Sequence, residues 1–117
     1  MSAITLYHNP RCLKSRQTLS ILEEHNIDTQ IVLYLEKPLK PSTLKTLLKQ
    51  LSLAPKDIIR KNEAVYKSLA LKNKNLSDIE LIDIMIAHPK LIERPIVTDG
   101  TKAVIGRPPE NVLELIH

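Results

Sequence analysis

Short β-branched runs alternate along the chain with segments whose apolar residues recur at helical spacing. Ala3 to Tyr7 is β-prone and is stopped by the turn-formers Asn9 and Pro10. Leu19 and Leu22 then lie on one face below Ser15 and Arg16, which predicts a helix ending near Asn26. Thr29 to Leu35 returns to a β-branched apolar run. Strand, helix and strand make a βαβ unit, with parallel strands and a right-handed crossover. Pro41 and Ser42 open a helix to about Leu51, and Pro55, tolerated in a first turn, precedes another over Asp57 to Lys61. Ser77 and Glu80 have the spacing of a capping box, ahead of an apolar face of Ile79, Leu81, Ile82, Met85 and Ile86 that runs up to Pro89. Ile96 to Thr98 and Ala103 to Ile105 flank Asp99 and Gly100, a pair that favours a tight antiparallel turn. A last helix is predicted from Pro108 or Pro109.

The order βαβ, helical block, ββα predicts an α/β protein with a thioredoxin-like fold and a mixed four-stranded sheet. It also predicts a single domain over 1–117, with a helical insertion at about 41–90. In such a sheet the loop after the first strand delivers the next helix's N-terminus to one edge, and Cys12 falls there.

Composition narrows the class. A chain of 117 residues, 43% apolar and 26% charged, is expected to bury one core rather than stay disordered. Its longest apolar run, Ile31 to Leu35, is far below the ~20 residues that span a bilayer, so no membrane partner is expected. The N-terminus has neither a basic start nor an apolar signal core, which predicts a cytoplasmic protein with a reduced thiol. A net charge of +4 admits nucleic acid, acidic partners or a small anion. The only aromatic residues are three tyrosines, none in a basic and aromatic alternation that stacks bases, which argues against nucleic acid.

Cys12 is the only cysteine, flanked in "HNPRCLKSR" by Arg11, Lys14 and Arg16. A thiol of ordinary pKa, about 8.5, is only a few per cent thiolate at neutral pH, and the thiolate is the reactive form. Free N–H groups at a helix start and nearby cations favour it, and the same N–H groups bind oxyanions. His8, four residues earlier, is a further candidate to hydrogen-bond the sulfur. The bland alternative, a small buried hydrophobe, fits this polar neighbourhood poorly. Spacing removes other thiol chemistries: a phosphatase-like loop needs arginine where Thr18 stands, and a dithiol pair needs cysteine where Ser15 stands. Gly100 and Gly106, the only glycines, cannot build a P-loop or a dinucleotide fingerprint. One cysteine and four scattered histidines argue against a metal site, and His25, His88 and His117 read as surface or helix-end residues. Any redox cycle must therefore borrow a thiol from another molecule.

Arg94 and Arg107 each precede a proline, in "ERPIV" and "GRPPE", and bracket the predicted hairpin. Arginine forks at neighbouring loops can converge on one anion; the other reading of Arg60, Arg94 and Arg107 is three surface arginines. By analogy with thioredoxin-like folds, Pro95 is expected to be a cis proline facing the cysteine.

Over nearly its whole length the chain resembles the glutaredoxin-linked arsenate reductase family, in its short branch. The stretches that carry the resemblance are "YHNPRCLKSR", "VLYLEKP", "IIRKNE", "LIDIMIAHPKLIERPIV" and "IGRPPENVLEL". The resemblance implies that Cys12 is the nucleophile and that Arg60, Arg94 and Arg107 bind the oxyanion and its arsenic intermediates. His8, Ser15 and Arg16 fall within the family's cysteine motif. It implies no bound cofactor, glutathione as co-substrate and glutaredoxin as partner. The fold is shared with Spx-like regulators that bind the RNA polymerase α subunit, and a monothiol motif occurs in glutaredoxins that carry iron and sulfur. Neither matches "ERPIV" and "GRPPE" as a set with Arg60.

Overall fold

The computed structural model of the chain describes residues 4–116; Ala3, the predicted start of the first strand, and His117 lie outside the described residues. The chain divides into two compact units, one built from the segments up to Lys37 and from Arg94 onward, the other from Pro38–Glu93.

The first unit holds β1 (Ile4–Tyr7), α1 (Leu13–Glu24), β2 (Thr29–Val32), β3 (Ile96–Thr98) and β4 (Ala103–Ile105). The sheet runs β2-β1-β3-β4. β1 pairs in parallel with β2 and antiparallel with β3, and β3 pairs antiparallel with β4, giving the mixed four-stranded sheet that the order of elements predicts. Ile4 and Leu6 alternate inward along β1 and join Val97 and Val104, Leu22 of α1, Val112 and Leu115 in one core. α1 stops where Asn26 takes a left-handed conformation (φ 56°), with Asn26 N–H donating to Glu23 O and Ile27 N–H to Leu22 O. That is a Schellman motif with Asn in place of Gly, closed by Ile27 against the core. At the hairpin, the Asp99 side chain accepts from the Thr101 and Lys102 N–H groups, and Gly100 supplies a φ of 95°.

Two elements of this unit differ from expectation. β2 ends at Val32 rather than Leu35, because β1 offers only four residues in register and the His8 N–H to Val32 O bond (2.9 Å) closes the ladder. The chain then turns, with Glu36 and Lys37 N–H groups donating to Leu33 O. The last helix, Pro109–Leu115, is 3₁₀ rather than α. Its buried residues Pro109, Val112 and Leu115 recur every three positions, which matches three residues per turn and lines one face with apolar groups.

The second unit contains α2 (Pro41–Leu51), α3 (Pro55–Ile58), α4 (Ala64–Ser68) and α5 (Asp78–Ala87), with short 3₁₀ turns at Leu71–Asn73 and Pro89–Leu91. α2 starts on a first-turn proline and buries Leu44, Leu47 and Leu48. α3 stops short of Lys61 because the backbone becomes extended at Ile59, which bridges Ile92; Arg60 N–H donates to Leu91 O and Glu93 N–H to Ile58 O. α5 has the predicted capping box: Ser77 Oγ accepts from Glu80 N–H, and Glu80 Oε1 accepts from Ser77 N–H. Ile82 and Met85 are buried along α5, whereas Ile79 stays exposed in its first turn. No helix of the described residues is long and apolar enough to cross a membrane.

Candidate active site

Cys12 is the N-cap of α1, in extended conformation and only 8% exposed. The loop that brings it there folds on itself. Cys12 N–H donates to Asn9 O, and Arg11 N–H donates to Asn9 Oδ1, each at 3.0 Å. Behind it, the fully buried Ser15 hydroxyl accepts from Asn9 N–H (3.0 Å) and lies 2.6 Å from His8 Nδ1. Burial, and secondarily the charge of Arg16, hold the His8 imidazole below its ordinary pKa. His8 Nδ1 and the Ser15 hydroxyl share one hydrogen bond, whose direction is set by the tautomer of the imidazole. Sequence reasoning put His8 on the sulfur; the structure puts it on Ser15, one step behind. It therefore fixes the loop that carries Cys12.

The other side of the sulfur is built from the hairpin. The Arg94–Pro95 peptide is cis, as the fold analogy anticipates, and so is Arg107–Pro108. Gly106 N–H donates to Pro95 O at 2.9 Å, which ties the end of β4 to the start of β3. Arg107 then reaches back: its Nε donates to Arg94 O at 2.8 Å, and a terminal nitrogen donates to Cys12 Sγ at 3.4 Å. The Arg94 carbonyl thus orients the fork that meets the sulfur. Gly106 has no room for a side chain, since a Cβ there would meet Pro95 Cγ at 2.7 Å and Thr18 Oγ1 more closely still.

The Cys12 thiol is held below its ordinary range by the balance of these neighbours. Burial pushes its pKa up, but the Ser15 backbone N–H, the Arg94 side chain and the charges of Arg94 and Arg107 together push it down further. The cations next to it in sequence contribute differently from expectation. Arg11 and Arg16 are exposed, and the Arg16 guanidinium donates to Pro10 O (3.3 Å). The cations that reach the sulfur, Arg94 and Arg107, arrive instead from the two ends of the β3–β4 hairpin.

The structure therefore brings Cys12 together with Ser15, Arg94 and Arg107, with His8 and Pro95 in support. Arg60 belongs to the other unit, where its Nε donates to Glu63 Oε1 (3.2 Å) and a terminal nitrogen to Glu93 Oε1 (2.7 Å). Asn9 and Gly106 are structural partners of the site that sequence reasoning did not nominate. Asn9 read only as a turn-former, and Gly106 only as one of too few glycines for a phosphate loop. A weakly exposed thiolate with two guanidinium groups at its side suits attack on a small oxyanion.

The model of the ArsC family matches residues 7–115 of this chain. YfgD, an uncharacterized protein of Escherichia coli K12, is 48% identical over 97% of this chain and 96% of its own. A protein of Haemophilus influenzae named arsenate reductase is 45% identical over 97% of this chain and 99% of its own. A solved structure named arsenate reductase from Vibrio cholerae superposes with a TM-score of 0.94 at 46% identity, covering 98% of each chain.

Proposed function

The chain belongs to the ArsC family, and we propose that it reduces arsenate to arsenite with Cys12 as nucleophile and glutathione and glutaredoxin as reductants. The observation that carries the proposal is the 3.4 Å contact from the Arg107 guanidinium to Cys12 Sγ, on a thiol held below its ordinary pKa. A guanidinium at the sulfur stabilises the thiolate before attack and faces the incoming anion during it.

The proposed cycle balances as follows. The Cys12 sulfur attacks arsenic(V) and one arsenate oxygen leaves as water, forming a sulfur–arsenic bond. The glutathione thiol displaces a second oxygen, also as water. A glutaredoxin thiolate then attacks the glutathione sulfur, and the electron pair of that sulfur–arsenic bond stays on arsenic, which becomes arsenic(III). Glutathione and glutaredoxin leave as a mixed disulfide. Water finally hydrolyses the Cys12–arsenic bond, releasing arsenite and restoring the thiol. Two thiols are oxidised and one arsenic reduced, with a net release of one water. A chain with one cysteine needs this external pair, and the cytoplasm, where glutathione keeps thiols reduced, is the proposed setting.

Within this proposal Arg94 and Arg107 hold the oxyanion beside the sulfur. Arg60 is the third arginine of the family motif; two carboxylates occupy its Nε and one terminal nitrogen, leaving the other terminal nitrogen able to donate.

The test is arsenate-dependent oxidation of NADPH in the presence of glutathione, glutaredoxin and glutathione reductase, run beside Cys12→Ser. Turnover abolished in Cys12→Ser and weakened in Arg94→Ala and Arg107→Ala is expected. Turnover that survives Cys12→Ser refutes the proposal, and capture of the RNA polymerase α subunit independent of Cys12 supports a Spx-like regulator in its place.

A further inference from the structure

The positive charge of this protein is concentrated in one stretch. Between Lys56 and Lys74 six cations accompany two acidic residues, Asp57 and Glu63, an excess of four that equals the net charge of the entire chain. One of the six, Arg60, is paired with Glu63 and Glu93. The other five are the exposed lysines 56, 61, 67, 72 and 74, and no carboxylate among the described residues pairs with any of them.

These lysines do not scatter over separate faces. Lys56, Lys61, Lys72 and Lys74 line one cleft of about 240 Å³, and Lys61, Lys67 and Lys72 line a second of about 510 Å³. The two share Lys61, Tyr66 and Lys72, so they adjoin as one lysine-lined groove at a half-buried tyrosine. Like charges gathered this way repel one another, and a bound polyanion relieves that repulsion.

We propose that this groove is a docking surface for an acidic protein segment, a run of Asp and Glu side chains on a partner. Charge complementarity selects a polyanion, and the rest of the lining selects an acidic protein segment over nucleic acid. A nucleic-acid groove needs a succession of stacking aromatics, and Tyr66 stands alone here. Tyr66 supplies the amphipathic anchor common at the centre of protein interfaces. The inference is independent of the chemistry proposed at Cys12.

The test is a fluorescence-anisotropy titration of the full chain with a labelled decaglutamate peptide at physiological salt, where screening beyond about 8 Å removes general charge attraction. Saturable binding is expected. Lys61→Glu with Lys72→Glu, the two lysines common to both clefts, should weaken it by about tenfold or more. Lys40→Glu with Lys45→Glu, an identical change of charge outside the groove, should weaken it by less than about threefold. Lys61→Gln with Lys72→Gln, checked by circular dichroism for an intact fold, should give an intermediate loss and guards against misfolding of the reversed pair. No saturable binding, or equal losses inside and outside the groove, overturns the proposal. So does tighter binding of a labelled deoxythymidine decamer with the same sensitivity, which reassigns the groove to nucleic acid.

Discussion

Replacing Gly106 with alanine tests how the site is assembled, because this residue joins three of its parts. Its N–H is bonded to Pro95 O, its missing side chain faces Thr18 of α1 and the Pro95 ring, and Arg107 follows it directly. Two effects oppose each other. Alanine restricts the unfolded chain, which stabilises by about 0.4–1 kcal/mol wherever the native backbone tolerates it. Against this, a methyl with Pro95 Cγ at 2.7 Å and Thr18 Oγ1 closer must push two buried neighbours aside. Overpacking of that kind costs about 1–3 kcal/mol, so the clash wins and a net loss of about 1–2 kcal/mol is expected. For 117 residues, at an unfolding entropy of about 2.1 cal/mol/K per residue, this lowers Tm by roughly 4–8 °C. Thermal and urea unfolding measure it. Thr18→Ala removes one of the two colliding atoms, so Gly106→Ala should cost less in that background, by about 0.5 kcal/mol or more. The displaced Arg107 should also slow alkylation of Cys12. A Gly106→Ala protein as stable as the parent, or a cost unchanged by Thr18→Ala, refutes this account of the junction.

Iodoacetamide alkylation of Cys12 should stay fast as pH falls below the ordinary thiol range, because Ser15 N–H, Arg94 and Arg107 outweigh burial. The sign for stability is that of a carboxylate: with the folded pKa depressed, the thiolate's contribution is present above the unfolded thiol pKa and is lost as pH falls through the folded one. A rate that declines with an ordinary thiol pKa contradicts the assignment. Arg107→Gln removes a charge-assisted bond to sulfur, of a class worth about 1.5–3 kcal/mol, and should cut the neutral-pH alkylation rate about tenfold or more; an unchanged rate excludes Arg107 as the stabilising cation. Ser15→Ala leaves His8 Nδ1 and Asn9 N–H without their shared buried partner and should cost about 1–3 kcal/mol in urea unfolding. Ser77→Ala removes the N-cap of α5 and should cost about 1 kcal/mol by the same measurement.

What the sequence revealed and what it hid divide by the range over which each feature is decided. The capping box at Ser77 and Glu80, the first-turn prolines of α2 and α3 and the Asp99-Gly100 turn are settled within four residues, and each is legible in the chain. The end of β2 depends on how many residues β1 offers. The stop of α3 depends on Ile59 finding Ile92, and the 3₁₀ pitch of Pro109–Leu115 depends on the core that Val112 and Leu115 must face. None of those is written locally. The site shows the same division more sharply. A lone cysteine between a strand and a helix start is conspicuous, and so are the flanking cations, but proximity in sequence misled about which cations matter. Arg11 and Arg16 flank the cysteine and point into solvent, where water screens them. Arg107 lies 95 residues away and donates to the sulfur, because the hairpin closes against the loop after β1 and Arg94 O aims the guanidinium. The prolines after Arg94 and Arg107 were the one visible sign that both arginines sit at fixed turns. The reactivity of Cys12 is thus a property of sheet topology, and a variant that loosens the β3–β4 junction should lower thiol reactivity even with all of Arg11, Lys14 and Arg16 in place.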